Sequence, residues 1–160
     1  MAIPDRYRAT VGKGVVASIA AGPLGAVPGP WDAGAIGAIW TTMFVSMASA
    51  AGHTLDREFV KRFVGAAVTG VLAYIAGCKV ATWLVNFIIP GAGFLPAAGV
   101  SSALNGIFTL KFGSVVADSM DKGTFQIDDA AKAATAVLAA LCTLPTISEW
   151  TDLIKIRRSS

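Results

Sequence analysis

Charge, histidine and cysteine are all scarce in this chain. A single histidine, His53, and two cysteines, Cys78 and Cys142, occur among 160 residues. One histidine without a neighbouring cysteine cluster does not make a zinc site, and two cysteines do not make a disulfide framework. Both cysteines lie in apolar sequence, so the expectation is two buried free thiols. No G-x-S-x-G elbow is present. Thr10-Val11-Gly12-Lys13-Gly14 lacks the first glycine and the hydroxyl residue of a phosphate loop. Asp118, Asp121, Asp128 and Asp129 do not have the spacing of a calcium loop. The expectation is therefore a protein that is not an enzyme, with no catalytic residue, cofactor or metal. Charged residues make up 14% of the chain, against roughly a quarter in ordinary soluble domains. The net charge of +3 comes with no basic stripe, which argues against a nucleic-acid partner.

What is abundant is apolar sequence, at 54%, and the few charges are grouped. They fall at 1–13, 56–62, 118–132 and 149–158, with only Asp32, Lys79 and Lys111 between these islands. Ala33–Leu55 and Val80–Leu110 hold no Asp, Glu, Lys or Arg. Each is longer than the ~20 helical residues that cross a bilayer. The fold class expected is all-α and membrane-associated, as a single helical domain over 1–160.

Glycine and proline divide that domain. Gly22–Pro30, with Pro28, Gly29 and Pro30, and Ile89–Pro96, with Pro90, Gly91 and Gly93, are apolar breaks between helices. About five helices follow, at 9–22, 31–51, 56–88, 97–121 and 128–144, with a last amphipathic segment at 146–156. They form a first hairpin at 9–52, a second at 56–122 and C-terminal helices at 128–156. Gly52 reads as a helix stop and Thr54 or Asp56 as the next cap. Gly123 followed by Asp128 repeats that order with one residue inserted, which suggests an internal duplication of a kind recurrent in membrane proteins.

The helix faces carry small residues at four- and seven-residue spacing, including Gly34 and Ala38, Gly70 and Gly77, and Gly106 and Gly113. Such positions let helix backbones approach closely in lipid. Polar residues within the apolar stretches, Asn86, Ser102, Asn105 and Thr109, read first as interhelical hydrogen-bonding groups that fix packing and, as the alternative, as a polar lining. Lys111 is expected to snorkel to a boundary. Lysine and arginine favour the cytosolic side, so two hairpins entering from one side would keep the termini and the 56–62 island cytosolic.

Pro28-Gly29-Pro30, the long helix ending at Gly52, the Ile89-Pro90-Gly91-Ala92-Gly93 loop, and Thr109 with Gly113 carry a resemblance. Over about Pro28–Gly123 the chain resembles a bacterial family of hydrophobic helical domains of unknown function, with Ala51 where that family usually has tyrosine. Its members are often fused C-terminal to Era-like GTPase domains or occur alone in the inner membrane. The resemblance implies a stand-alone module of the bacterial inner membrane, served by a separate GTPase. It carries over no catalytic residue. The leading functional expectation is a scaffold that forms a homo-oligomer in or on the lipid bilayer. The alternatives are a small channel or transporter lined from the 97–121 helix, and a cytoplasmic helical bundle that docks a partner such as a GTPase.

Overall fold

In a computed structural model of the chain, which describes residues 3–23, 31–71, 94–143 and 146–159, the secondary structure is helical, with no strand among the described residues. The helices are α1 (Asp5–Ala20), α2 (Trp31–Ala50), α3 (described over 57–71), α4 (Phe94–Asp121), α5 (Ala130–Leu141) and α6 (Ile147–Ser159). The all-α class is as expected. The two Pro-Gly segments, with Pro28, Gly29, Pro30, Pro90, Gly91 and Gly93, lie outside the described residues, as do Gly77, Cys78 and Asn86.

Two helices begin earlier than the sequence pattern suggested. Helix α1 starts at Asp5 rather than residue 9, because Tyr7, Val11, Val15 and Ser18 form one continuous buried stripe through the charged head. Helix α4 starts at Phe94 rather than residue 97, so Pro96 falls in its first turn. A missing N–H has no helical partner there in any case.

The turns that end α2 and α4 are built alike. Gly52 and Gly123 take positive φ angles of 80° and 64°. His53 N–H then donates to Ala48 O at 2.9 Å, and Thr124 N–H to Ser119 O at 2.9 Å. The bonds of shorter sequence span beside them run from Gly52 N–H to Ser49 O at 3.0 Å and from Gly123 N–H to Met120 O at 3.3 Å. Each set completes a Schellman closure. An aspartate caps the next helix in both places. Asp56 Oδ2 accepts from Glu58 N–H at 3.1 Å and Phe59 N–H at 3.3 Å. Asp129 Oδ1 accepts from Ala131 N–H at 3.1 Å and Lys132 N–H at 3.0 Å. The capping residue is thus Asp129 and not Asp128, and the second turn carries two extra residues rather than one. Downstream, α3 buries Phe63, Val64, Ala67 and Val71, and α5 buries Ala133, Ala134, Val137 and Leu141 at the same spacing.

The amide of Lys132 is the main cause holding the Asp129 carboxyl below its ordinary range, helped by the Lys132 side chain and the Ala131 amide. A lowered folded-state value means that the cap's contribution is complete above the ordinary aspartate range. It is lost as pH falls through the depressed folded value. Asp129→Ala is expected to lower the melting temperature at neutral pH, and Asp129→Asn to retain most of it, because asparagine also caps. Thermal melts at pH 7 and at acid pH check this: the deficit of the alanine variant should shrink in acid.

Helix α4 is the axis of the fold. Every residue from Asn105 to Ser114 is buried, as in a helix enclosed on all sides. Helix α1 runs antiparallel to it, with Arg6 paired to Asp121 at 2.6 Å and Ser18 bonded to Asn105 O at 3.2 Å. Helix α2 runs parallel to it: Trp40 stacks on Phe112 with centroids 4.3 Å apart, and Phe44 further along meets Phe125 at 5.5 Å. Phe63 of α3 joins Phe44, Phe112 and Phe125. These directions bring the start of α1, the α2–α3 turn and the α4–α5 turn to one end of the bundle. The islands at 1–13, 56–62 and 118–132 therefore share that end. The far halves of α1 (14–20), α3 (63–71), α4 (94–110) and α5 (133–141) contain no charged residue, nor does α2 over 33–50.

Candidate functional site

The polar residues of α4 are turned into the bundle. Thr109 is fully buried, and its Oγ1 accepts the indole N–H of Trp40 at 2.9 Å. Ser18 of α1 donates to Val15 O at 2.8 Å and to Asn105 O at 3.2 Å. Ser102 is half-buried, against Gly22. Asn105 Nδ2 and Ser101 Oγ are buried with no hydrogen-bond partner among the described residues. The candidate lining thus resolves into two kinds of group. Thr109 is engaged in packing α2 onto α4, whereas Ser101 and Asn105, one turn apart, retain unmet hydrogen-bonding capacity in a dry setting. Asn86 falls outside the described residues. The sequence did not reveal Ser18 or Trp40 as partners, because a contact between residues 40 and 109 leaves no local pattern.

Lys111 does not reach a boundary. It is 3% exposed, and its ammonium donates to Thr143 O at 2.8 Å and Thr143 Oγ1 at 2.9 Å, with Glu149 Oε1 at 3.5 Å. Glu149 also closes the start of α6: Glu149 Oε2 accepts Thr146 N–H at 2.6 Å, and Thr146 Oγ1 accepts Glu149 N–H at 3.4 Å. This is a reciprocal capping box, legible as Thr-x-x-Glu in the sequence. One carboxylate thereby fixes the end of α6 and compensates the buried cation, which is why the lysine tolerates burial.

The small-residue positions separate into inner and outer ones. Gly113 lies against Val11 of α1, and Gly70 against Leu138 of α5. Gly106 is buried. Gly14 and Gly22, absent from the sequence-based set, also mark close approaches, to Met43 and Ser102 respectively. Gly34 and Ala38 are not packing positions within the chain. Both are exposed, and a Cβ on Gly34 would meet nothing within 4 Å.

They belong instead to an outer stripe of α2, with Thr42, Val45, Ser46 and Ser49 also exposed. The hydroxyls on this stripe are turned back on the helix. Thr42 donates to Ala38 O at 3.0 Å and Ser46 to Thr42 O at 2.8 Å, the i−4 back-bonding open to Ser and Thr within a helix. Gly65, Ala66 and Thr69 of α3, and Thr135, Ala136 and Ala139 of α5, give those helices outer faces of the same kind. Among the described residues, the exposed positions of this end are thus uncharged, and Asp32 at the start of α2 is a charged residue that this end carries.

Cys142 is exposed rather than buried, because it occupies the position after the last turn of α5. Among the described residues no group of three or more His, Cys, Asp or Glu side chains could hold a metal ion. Among the same residues no helix is long and apolar enough to cross a membrane. Comparison of the chain with protein-family models, curated proteins and solved structures returns no match.

Proposed function

We propose that this protein is a non-enzymatic helical module that associates with a lipid bilayer through its uncharged end and assembles there as a scaffold. The observation that carries the reading is the outer surface of that end. Among the described residues, the exposed positions of α2 over 34–50, of α3 over 65–69 and of α5 over 135–139 are glycine, alanine, valine, serine and threonine. Water gains little from such a surface, whereas lipid and neighbouring helices accept it. The charged end would stay in the aqueous phase. Its basic residues favour the cytosolic face of a bacterial inner membrane. The matched turns at Gly52 and Gly123 support reading the two Pro-Gly-looped hairpins as an internal duplication. The resemblance adds a separate GTPase as the partner to test.

Flotation with phosphatidylcholine vesicles, followed by alkaline carbonate extraction, tests the reading. The wild-type chain is expected to float and to stay with the vesicles. A lysine costs about 2.5–3.5 kcal/mol at the centre of a bilayer and less near the interface. Ala38→Lys combined with Ala136→Lys is therefore expected to reduce flotation several-fold, while Lys61→Glu at the charged end leaves it intact. A wild-type chain that remains in the aqueous fraction overturns the proposal. Light scattering of the detergent-extracted protein tests assembly, for which Ala38→Trp on the outer stripe should reduce the particle mass. Gly70 and Gly106 are unsuitable for that purpose, since Gly70 lies against Leu138 of α5 and Gly106 is buried.

A further inference from the structure

A groove of about 1010 Å³ runs between α1, α4 and α6. Its walls are mostly apolar, with Val16, Leu110 and Ile156 among them, and Val16 is 38% exposed although it is a large aliphatic residue. Among the described residues four cations border it, Arg8, Lys13, Lys111 and Lys155, against two carboxylates, Glu149 and Asp152. Three of the four are already compensated. Arg8 pairs with Asp5 at 2.7 Å, Lys111 with Glu149 at 3.5 Å, and Lys155 with Asp152 at 3.9 Å. Lys13 is exposed and has no ion-pair partner among the described residues. It stands one helical turn before Val16 and Ala17, on the stripe of α1 that forms the groove wall.

We infer that this groove binds a single-chain amphiphile with a carboxylate head, that is, a long-chain fatty acid. Lys13, without an ion-pair partner among the described residues, suits a single anionic head. The apolar wall selects an alkyl chain, and the volume is at the upper end of the range typical of small-ligand sites. A carboxylate at the Lys13 ammonium makes a charge-assisted hydrogen bond, and the alkyl chain covers Val16 and the neighbouring apolar wall. This inference does not rest on the bilayer reading, since a monomeric amphiphile is bound from solution.

Native mass spectrometry of the full chain with dodecanoate tests it, using dodecyltrimethylammonium as the cationic control. The expected result is a saturable one-to-one adduct with dodecanoate and none with the cation. Lys13→Gln should weaken the adduct by about tenfold, the loss of one partly exposed charge-assisted bond. Gly12 supplies the steric arm: a Cβ there would meet only Ile156 Cγ2, at 3.9 Å. That position has room for a Cβ, and Gly12→Leu extends from it toward Ile156 in the groove wall, so it should abolish the adduct while helical circular dichroism is unchanged. No wild-type adduct, equal binding of the cation, or an undiminished adduct in folded Gly12→Leu would overturn the inference. Because no vesicle is present, its failure leaves the flotation result standing, and the reverse also holds.

Discussion

Gly113→Ala is expected to lower stability by about 1–3 kcal/mol, the usual cost of forcing extra volume into a packed core. Leucine at the same position should prevent α1 from docking. A Cβ on Gly113 would meet Val11 Cγ1 at 2.7 Å and Cγ2 at 2.9 Å. Val11 is fully buried, and a valine in a helix holds essentially one rotamer. Neither helix can yield locally, so α1 must lift from α4. The neighbouring glycines make the test internal. A Cβ on Gly14 would meet Met43 Sδ at 2.7 Å, but a thioether chain readily moves aside. A Cβ on Gly65 would meet nothing within 4 Å, so Gly65→Ala should gain roughly 0.5–1 kcal/mol from helix propensity. Denaturant melts of the three alanine variants should rank Gly65 above Gly14 above Gly113. Equal values for Gly65 and Gly113 would mean that α1 does not approach α4 as described.

Lys111→Met is expected to cost about 3 kcal/mol, the lower part of the range for breaking a buried ion pair. The substitution removes the donor to Thr143 O and leaves Glu149 without its cation at the α4 side. Glu149 keeps the Thr146 amide and is 14% exposed, which places the loss at the low end. Adding Glu149→Gln to Lys111→Met should recover part of it, because the neutral amide needs no counter-charge and still accepts from Thr146 N–H. A double-mutant cycle in urea measures the coupling. Additive losses would show that the two side chains do not interact across α4 and α6.

The legible features were those with a local cause. Both glycine stops, the Asp56 cap and the buried face Ile36, Trp40, Met43 and Met47 follow from spacing along one helix. The start of α1 was obscured because Arg6 and Arg8 flank Tyr7, so a buried stripe reads as a charged head. The fate of each small residue was not legible. Gly34 and Gly113 sit in similar sequence, yet one faces outward and the other lies against Val11, and only the arrangement of helices around α4 distinguishes them. Lys111 was misjudged for the same reason. Its partner lies 38 positions away at Glu149, and a lysine whose counter-ion is that distant looks isolated in sequence. The uncharged end was legible piece by piece, as charge-free runs. That the charged islands share one end needed the directions of α1 and α2.

The antiparallel contact of α1 with α4 also has a consequence in time. Helix α1 leaves a ribosome before α4, and the residues that cover its buried stripe, from Asn105 to Asp121, are made roughly a hundred positions later. At about 5–20 residues per second, α1 waits on the order of seconds with Tyr7, Val11 and Val15 uncovered. Folding is therefore gated by the synthesis of α4. A nascent chain stalled before that helix would present an unprotected apolar stripe, the form in which this protein would be most exposed to chaperones and proteases.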